Sequence, residues 1–342
     1  MYRTLSSLAR QPSIKHSLKN TRYLTTSTTT KATMTTGNFK YIDPTRLSQD
    51  GRKPWTKVDG PGLSYNELTI SRPVTDIRST PDPSTLTTDT SGFQVLHSPS
   101  AEKDFTNDTR IREAYYAETI SLLQNHLPSG DRIHKVVVFD HTIRRRDKTS
   151  PRQPVQQVHV DQTPGAAEAR VRRHLPHDEA DALLQKRYQI INVWRPIGHA
   201  ATDFPLGVID WRTTAAEDFV PVDLLYPQRN DSPQNDNDDD DRGKETLPSP
   251  EQYNSPEGYE VKGETLAVAP NDSHRFYYCR DMRPEEVMLL KCFDSWGEGM
   301  RPSGRQGLAV RTPHTAFVDP ATPADALGRQ SIEVRCLVFY EE

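Results

Sequence analysis

After about residue 130 the chain shows a repeating pattern of short apolar runs rich in Val, Ile, Phe and Tyr and bounded by Pro, Gly or Asp. Runs of this kind predict strands: 135–139, 155–160, 188–194, 206–211, 222–226, 265–269, 275–279, 287–293 and 331–340. Helical periodicity is scarcer. Residues 110–127 place Ile111, Tyr115, Ile120, Leu122 and Leu123 near one face, which predicts a helix lying on a sheet. Residues 166–173 and 178–187 predict two shorter helices. Nine or so strands with few helical crossovers point to a mainly β fold with flanking helices, an antiparallel sandwich or barrel. A doubly wound nucleotide fold is disfavoured, because neither GxGxxG nor GxxxxGK[ST] occurs.

Composition changes the picture at three places. Hydrophobic residues make up only 34% of the chain and there are 27 prolines, which is polar for a globular domain. The first 36 residues carry six basic side chains and no acidic one, and are rich in Ser and Thr. That composition fits a mitochondrial transit peptide or a disordered basic leader, so a cytoplasmic or mitochondrial location is expected. A second tract, 228–250, is dominated by Asp236 and Asp238–Asp241 and reads as a solvated acidic insertion within one domain spanning 37–342. An EF-hand reading of it fails on ligand spacing. Residues 71–104, rich in Pro, Ser, Thr and Asp, are expected to wrap the surface irregularly.

The net charge of −4 hides an imbalance, since without the six leader charges the remainder carries −10. Neither value favours nucleic acid as a partner. No apolar window is long enough to span a membrane, and the mean hydropathy is −0.77. The oligomeric state is not encoded in any pattern found. Cys279, Cys292 and Cys336 form no CxxC pair and read as free thiols of the core. Arg144–Arg146 reads as a solvated basic turn.

The sharpest chemical signal is Val158-His159-Val160-Asp161. Residues two apart on a strand project from the same face, so an imidazole and a carboxylate can share one metal. A second histidine from a neighbouring strand would complete a two-His, one-carboxylate facial triad with open positions. The bland alternative is a surface pair bonded only to itself. His314, in Pro313-His314-Thr315, and His274, in His274-Arg275-Phe276, compete for the third place. His314 is preferred because Arg329-Gln330-Ser331 follows it and opens the last strand, whereas neither Arg280 nor Arg283 near His274 has such a serine. His274 then lines a pocket or simply edges a strand.

The order His-x-Asp, distal His, Arg-x-Ser resembles the jelly-roll (double-stranded β-helix) iron/2-oxoglutarate oxygenases. The blocks YQIINVWRPI, PLGVIDWRT, PVDLLYP, GETLAVAPNDSHRFYYCRDMRPEEVMLLKCFDS and RTPHTAFVDPATPADA narrow this to a family. They resemble the mostly fungal AsaB-type hydroxylase/desaturases, related to gibberellin desaturase, over roughly 130–342. The resemblance implies Fe(II) held by His159, Asp161 and His314, and 2-oxoglutarate gripped by Arg329 and Ser331. It also implies dioxygen as oxidant and a small organic molecule of secondary metabolism as substrate, hydroxylated or desaturated. Tyr188 and Asn192 are candidate cosubstrate contacts, and Arg195, Trp211 and His274 candidate pocket residues. Core packing or strand-end pairing are their alternatives. Arg329 could instead bridge to Glu333 or Asp325, and Arg335 is a rival arginine on the same strand face. A cupin-like metalloenzyme without 2-oxoglutarate and a non-catalytic jelly-roll subunit are the competing functional readings.

Overall fold

The structure is a computed structural model that describes residues 34–47, 52–58, 62–147, 153–228, 255–302 and 304–341. Most of the basic leader and the acidic tract beyond Gln228 lie outside the described residues. Among the described residues fourteen strands are present in order: β1 (Met34–Ile42), β2 (Trp55–Lys57), β3 (Glu67–Asp76), β4 (Phe93–His97) and β5 (Ile133–Arg145). They continue with β6 (His159–Val160), β7 (Tyr188–Pro196), β8 (Leu206–Ile209), β9 (Phe219–Pro227) and β10 (Tyr259–Val268). The last four are β11 (Phe276–Tyr278), β12 (Glu286–Asp294), β13 (His314–Ala316) and β14 (Gln330–Tyr340).

They form two sheets, ordered β1-β3-β11-β8-β13-β6-β10-β9-β2 and β4-β12-β7-β14-β5. Most pairings are antiparallel, with β3–β11 and β2–β9 the parallel exceptions. This is a jelly-roll core, in which folding one sheet over another buries the inward-facing alternate residues of both.

Alternation divides β7 cleanly. Ile191 and Val193 face outward onto a helix-covered layer with Val334, Cys336 and Val338 of β14. The cover is the helical segment from Asp108 to His126, π-helical at Ile111–Tyr115, which buries Ile111, Tyr115, Leu122 and Leu123 against that face. The opposite face of β7 carries Tyr188, Ile190, Asn192 and Trp194, and all four are buried. Helices Pro164–His174 and His177–Leu184 cover the Tyr188 end together with Phe293 and Phe339. Among the described residues no helix is long and apolar enough to cross a membrane.

Three expectations change. Met34–Thr36, read as leader, already pair with β3. The 71–104 stretch is not wholly irregular: it holds the end of β3 and all of β4, which pairs with β12. Arg144 and Arg145 lie on β5 rather than in a turn, and Arg146 pairs with Asp203 at 2.8 Å. The three cysteines are buried and unpaired.

A buried charge network fixes how the 87–92 segment crosses the second sheet. Lys291 and Asp294 on β12 are fully buried, and Lys291 Nζ lies 2.8 Å from both Asp294 and Asp89. Arg187 adds a 2.7 Å bond to Asp294. Two cations face two carboxylates, so the cluster is charge-balanced, as buried ions must be. Next to it, Gly92 sits at φ +90°, and a Cβ there would come within 2.4 Å of Thr312 Oγ1.

Candidate active site

His159 and His314 are direct cross-strand neighbours on β6 and β13, so their rings project together, with centroids 4.5 Å apart. β6 ends at Val160. Thr163 then caps the following helix by accepting from Ala166 N–H, with Pro164 opening it. The chain is thereby forced through a tight corner, and Asp161 sits in it. Its Oδ1 lies 3.3 Å from His159 Nε2 and 3.6 Å from His314 Nε2. Among the described residues these three form the group of His, Cys, Asp and Glu side chains whose ligand atoms all lie within 4.8 Å of one another.

The ring edges are assigned by their outer partners. His159 Nδ1 is 2.8 Å from Gln157 O and His314 Nδ1 is 3.0 Å from Thr312 O. A carbonyl only accepts, so each Nδ1 carries a proton and each Nε2 is left to bind a cation, the usual arrangement around metal-ligating histidines. Burial pushes the Asp161 carboxyl up, but the adjacent His159 and His314 rings and the charge of Arg335 outweigh it and hold it well below the ordinary range. Burial likewise lowers His314, and Asp161 and Glu333 reverse that into a net rise. These donors fit a divalent iron of two imidazoles and one carboxylate.

A small cavity of about 40 Å³ adjoins the three side chains. It is walled by Trp194, Leu206, Val155 and Ala316 on the apolar side and by Thr142, Arg144, Arg329, Ser331, Glu333 and Arg335 on the polar side. Register explains the polar wall. Arg144 opposes Ser331, Thr142 opposes Glu333 and Asp140 opposes Arg335 across β5 and β14. Arg329, Ser331, Glu333 and Arg335 are two apart, so all turn inward.

The two arginines differ in what they have left to offer. Arg335 is committed on every nitrogen: Nε to Asp161 Oδ2 at 3.2 Å, Nη1 to Asp140 and Thr142, and Nη2 to Glu333 at 2.7 Å. Arg329 is 2% exposed, donates from Nη1 to Phe204 O at 2.7 Å, and leaves Nε with no partner. Neither Glu333 nor Asp325 forms an ion pair with it. Burial and then the charge of Arg144 push it down to about 9, so it is still a cation at neutral pH. A buried guanidinium without a counterion is costly unless an anion arrives. The donor set therefore fits a carboxylate at this end of the cavity.

Several residues proposed from sequence fall elsewhere. Tyr188 does share a strand face with Asn192, but it packs between Phe293 and Phe339 in the core. Asn192 does not line the cavity either; its amide donates to Asp161 Oδ2 at 2.7 Å. Arg195 holds Tyr115 and the carbonyls of Ser98 and Pro284. His274 is bound between Asp218 and Tyr41, at 2.9 and 3.3 Å, away from the metal-binding group. Trp211 stacks on Phe219 in a 3-10 turn. Thr142, Arg144 and Glu333 were missed as cavity residues. Each has only an alternating position on a strand to mark it, which many core residues share.

A jelly-roll holding two histidines and an aspartate beside an anion-accepting arginine is the architecture of the non-haem iron oxygenases. The comparisons narrow the class. A family profile described as an oxidoreductase/YMDC permease-like domain matches residues 39–339. The chain is 32% identical over 294 residues to the hydroxylase/desaturase efuI of Hormonema carpetanum, covering 82% of this chain and 86% of that protein. It is 34% identical to the hydroxylase/desaturase asaB of Aspergillus flavus, over 48% of this chain and 60% of that one. The Fe(II)/2-oxoglutarate-dependent dioxygenase nvfI of Aspergillus novofumigatus is 31% identical over 68% of this chain and 69% of its own. A solved structure of the iron and alpha-ketoglutarate-dependent endoperoxidase NvfI superposes with a TM-score of 0.64 at 24% identity, covering 91% and 99% of the two chains, and shares the fold. The chain belongs to the AsaB-type hydroxylase/desaturase family, and it is an oxidoreductase.

Proposed function

We propose that the protein is a non-haem Fe(II)/2-oxoglutarate-dependent oxygenase that hydroxylates or desaturates a small organic molecule in fungal secondary metabolism. The observation that carries the reading is that one cavity is lined both by the converging His159, Asp161 and His314 and by the buried Arg329, whose Nε has no hydrogen-bond partner. A keto acid with a distal carboxylate offers a chemical partner to each group.

His159, Asp161 and His314 would hold the iron through two imidazoles and one carboxylate. Arg329 and Ser331 take the far carboxylate of 2-oxoglutarate, with Arg329 supplying the charge and the serine hydroxyl a further donor. When bound, the iron and the keto acid supply the oxidising power that dioxygen needs to attack a C–H bond. Trp194, Leu206 and Ala316 contribute buried apolar surface to the cavity lining. Gln157 O and Thr312 O keep the two imidazoles in the ligating tautomer.

The test is anaerobic titration of the purified protein with Fe(II) and then 2-oxoglutarate. One equivalent of iron should bind, and the keto acid should then produce a weak visible charge-transfer band. Iron bound without the band, together with activity indifferent to Arg329→Ala, would favour a cupin-like enzyme that does without the keto acid. His159→Ala or Asp161→Ala binding iron as the unsubstituted protein does would sink the proposal.

A further inference from the structure

Asp161 is held by two donors on one oxygen only. Asn192 Nδ2 and Arg335 Nε both donate to Oδ2, at 2.7 and 3.2 Å. Oδ1 is the oxygen that faces both histidine Nε2 atoms. The two donors form a built pair, since Arg335 and Asn192 stand directly opposite each other on β14 and β7. Asp140 stands opposite Arg335 on the next strand and accepts from it. One level of the second sheet thus presents an Asp–Arg–Asn row to a carboxylate in the corner that follows β6 of the first sheet.

Asn192 is an uneconomical residue for a core position. It is completely buried, and its Oδ1 has no hydrogen-bond partner, a state that costs stability. Its only side-chain hydrogen bond among the described residues is the one to Asp161, so packing does not explain it. A carboxylate with both oxygens free can close on a metal through two atoms. With Oδ2 occupied by two protein donors, that mode is blocked.

Resting on the metal reading above, we propose that Asn192 and Arg335 are positioning residues that hold Asp161 through Oδ2 and so leave Oδ1 alone to ligate a metal beside His159 and His314. Loss of either donor would free Oδ2 to ligate as well, at the expense of cosubstrate binding.

The test uses Co(II) as the probe metal in the full-length protein, followed by 2-oxoglutarate, with Asn192→Ala and Arg335→Gln variants. The visible Co(II) absorption band should change in intensity and position in both variants before any cosubstrate is added. The affinity of the Co(II)-loaded variants for 2-oxoglutarate should fall about tenfold or more. Metal-free Asn192→Ala should unfold cooperatively but at a lower temperature, from the lost bond to Asp161 and the cavity left behind, so its folded state is checked by circular dichroism before the titration. If Arg335→Gln fails to fold, Asn192→Ala decides alone. Co(II) bound with an unchanged band and cosubstrate affinity within twofold would overturn the inference while leaving the metal site standing. No Co(II) bound by the unsubstituted protein would overturn the metal reading, and the inference with it.

Discussion

At the scale of single residues, Arg329 shows how stability and function oppose each other. Its guanidinium is buried without a counterion, so the free protein carries a desolvation cost that a bound dicarboxylate relieves. Arg329→Met should therefore stabilise the metal-free protein by about 1–3 kcal/mol, as apolar replacement of buried charge often does. It should also weaken 2-oxoglutarate by about 2–3 kcal/mol, roughly a hundredfold in KM, from the lost charge-assisted bonds. Thermal unfolding and succinate formation against 2-oxoglutarate concentration measure the two effects. A variant that is both less stable and unchanged in KM would refute the assignment. At this scale the sequence was partly legible. His-x-Asp on a strand and Arg-x-Ser at the start of another are spacing signals, and spacing survives folding. The use of Asn192 was not legible, because its partner is 31 residues away on a different sheet.

At the scale of elements, position depends on contacts that no local pattern records. The run Tyr188–Trp194 announced β7 by composition, and Ser331–Tyr340 announced β14. β3 did not announce itself: Glu67–Asp76 contains Pro73, two charged ends and no buried run before Val74. It is a strand because β1 and β11 pair on either side of it. β13 has only three residues, and its identity comes from lying between β6 and β8. The register that sets His314 beside His159 is likewise a tertiary fact, since a one-residue slip would turn either imidazole away.

Gly92 guards that register from outside. Its carbonyl accepts from Lys291 N at 2.8 Å and from the Thr312 hydroxyl, two residues before His314. Gly92→Ala combines a left-handed backbone with a clash against Arg311 O at 2.9 Å. It should destabilise by about 1–3 kcal/mol and weaken Fe(II) binding through displacement of β13, as read by chemical denaturation and metal titration.

At the scale of the whole molecule, the Lys291–Asp294–Arg187–Asp89 network ties the 87–92 segment to the second sheet and sets an acid limit. Burial raises Asp294, but Lys291 and Arg187 reverse that and hold it at about 2. A depressed carboxylate contributes stability that is complete above its unfolded value near 4 and disappears as pH falls toward 2. That one group should account for about 2 kcal/mol of acid destabilisation across this window. Lys291→Met leaves two carboxylates facing one arginine and should cost about 3–5 kcal/mol at neutral pH. Denaturant melts at pH 7, 4 and 2.5 resolve both. The ends of the acidic insertion are equally specific: Pro227 pairs with Tyr259 and Gln228 N–H donates to Gly258 O. Replacing residues 229–254 with a short turn should therefore keep the β9–β10 hairpin. It should raise stability by up to about 2 kcal/mol through a smaller loop-closure cost, and a lower unfolding temperature would contradict this.

The three cysteines, unremarkable as core residues, give the chain a built-in chemical clock. All are buried, and burial pushes the Cys279 thiol up to about 12 and Cys292 and Cys336 well above their ordinary value. Reagents that need thiolate will find almost none in the closed molecule, so their rate of consumption reports how often each region breathes. Cys292 is near enough to Asp161 for that carboxylate to help raise it, while Cys279 packs in a separate cluster with Leu206 and Met282. Iron should slow alkylation of Cys292 more than that of Cys279. Peptide mapping after a timed exposure would then read metal occupancy from a residue that never touches the metal.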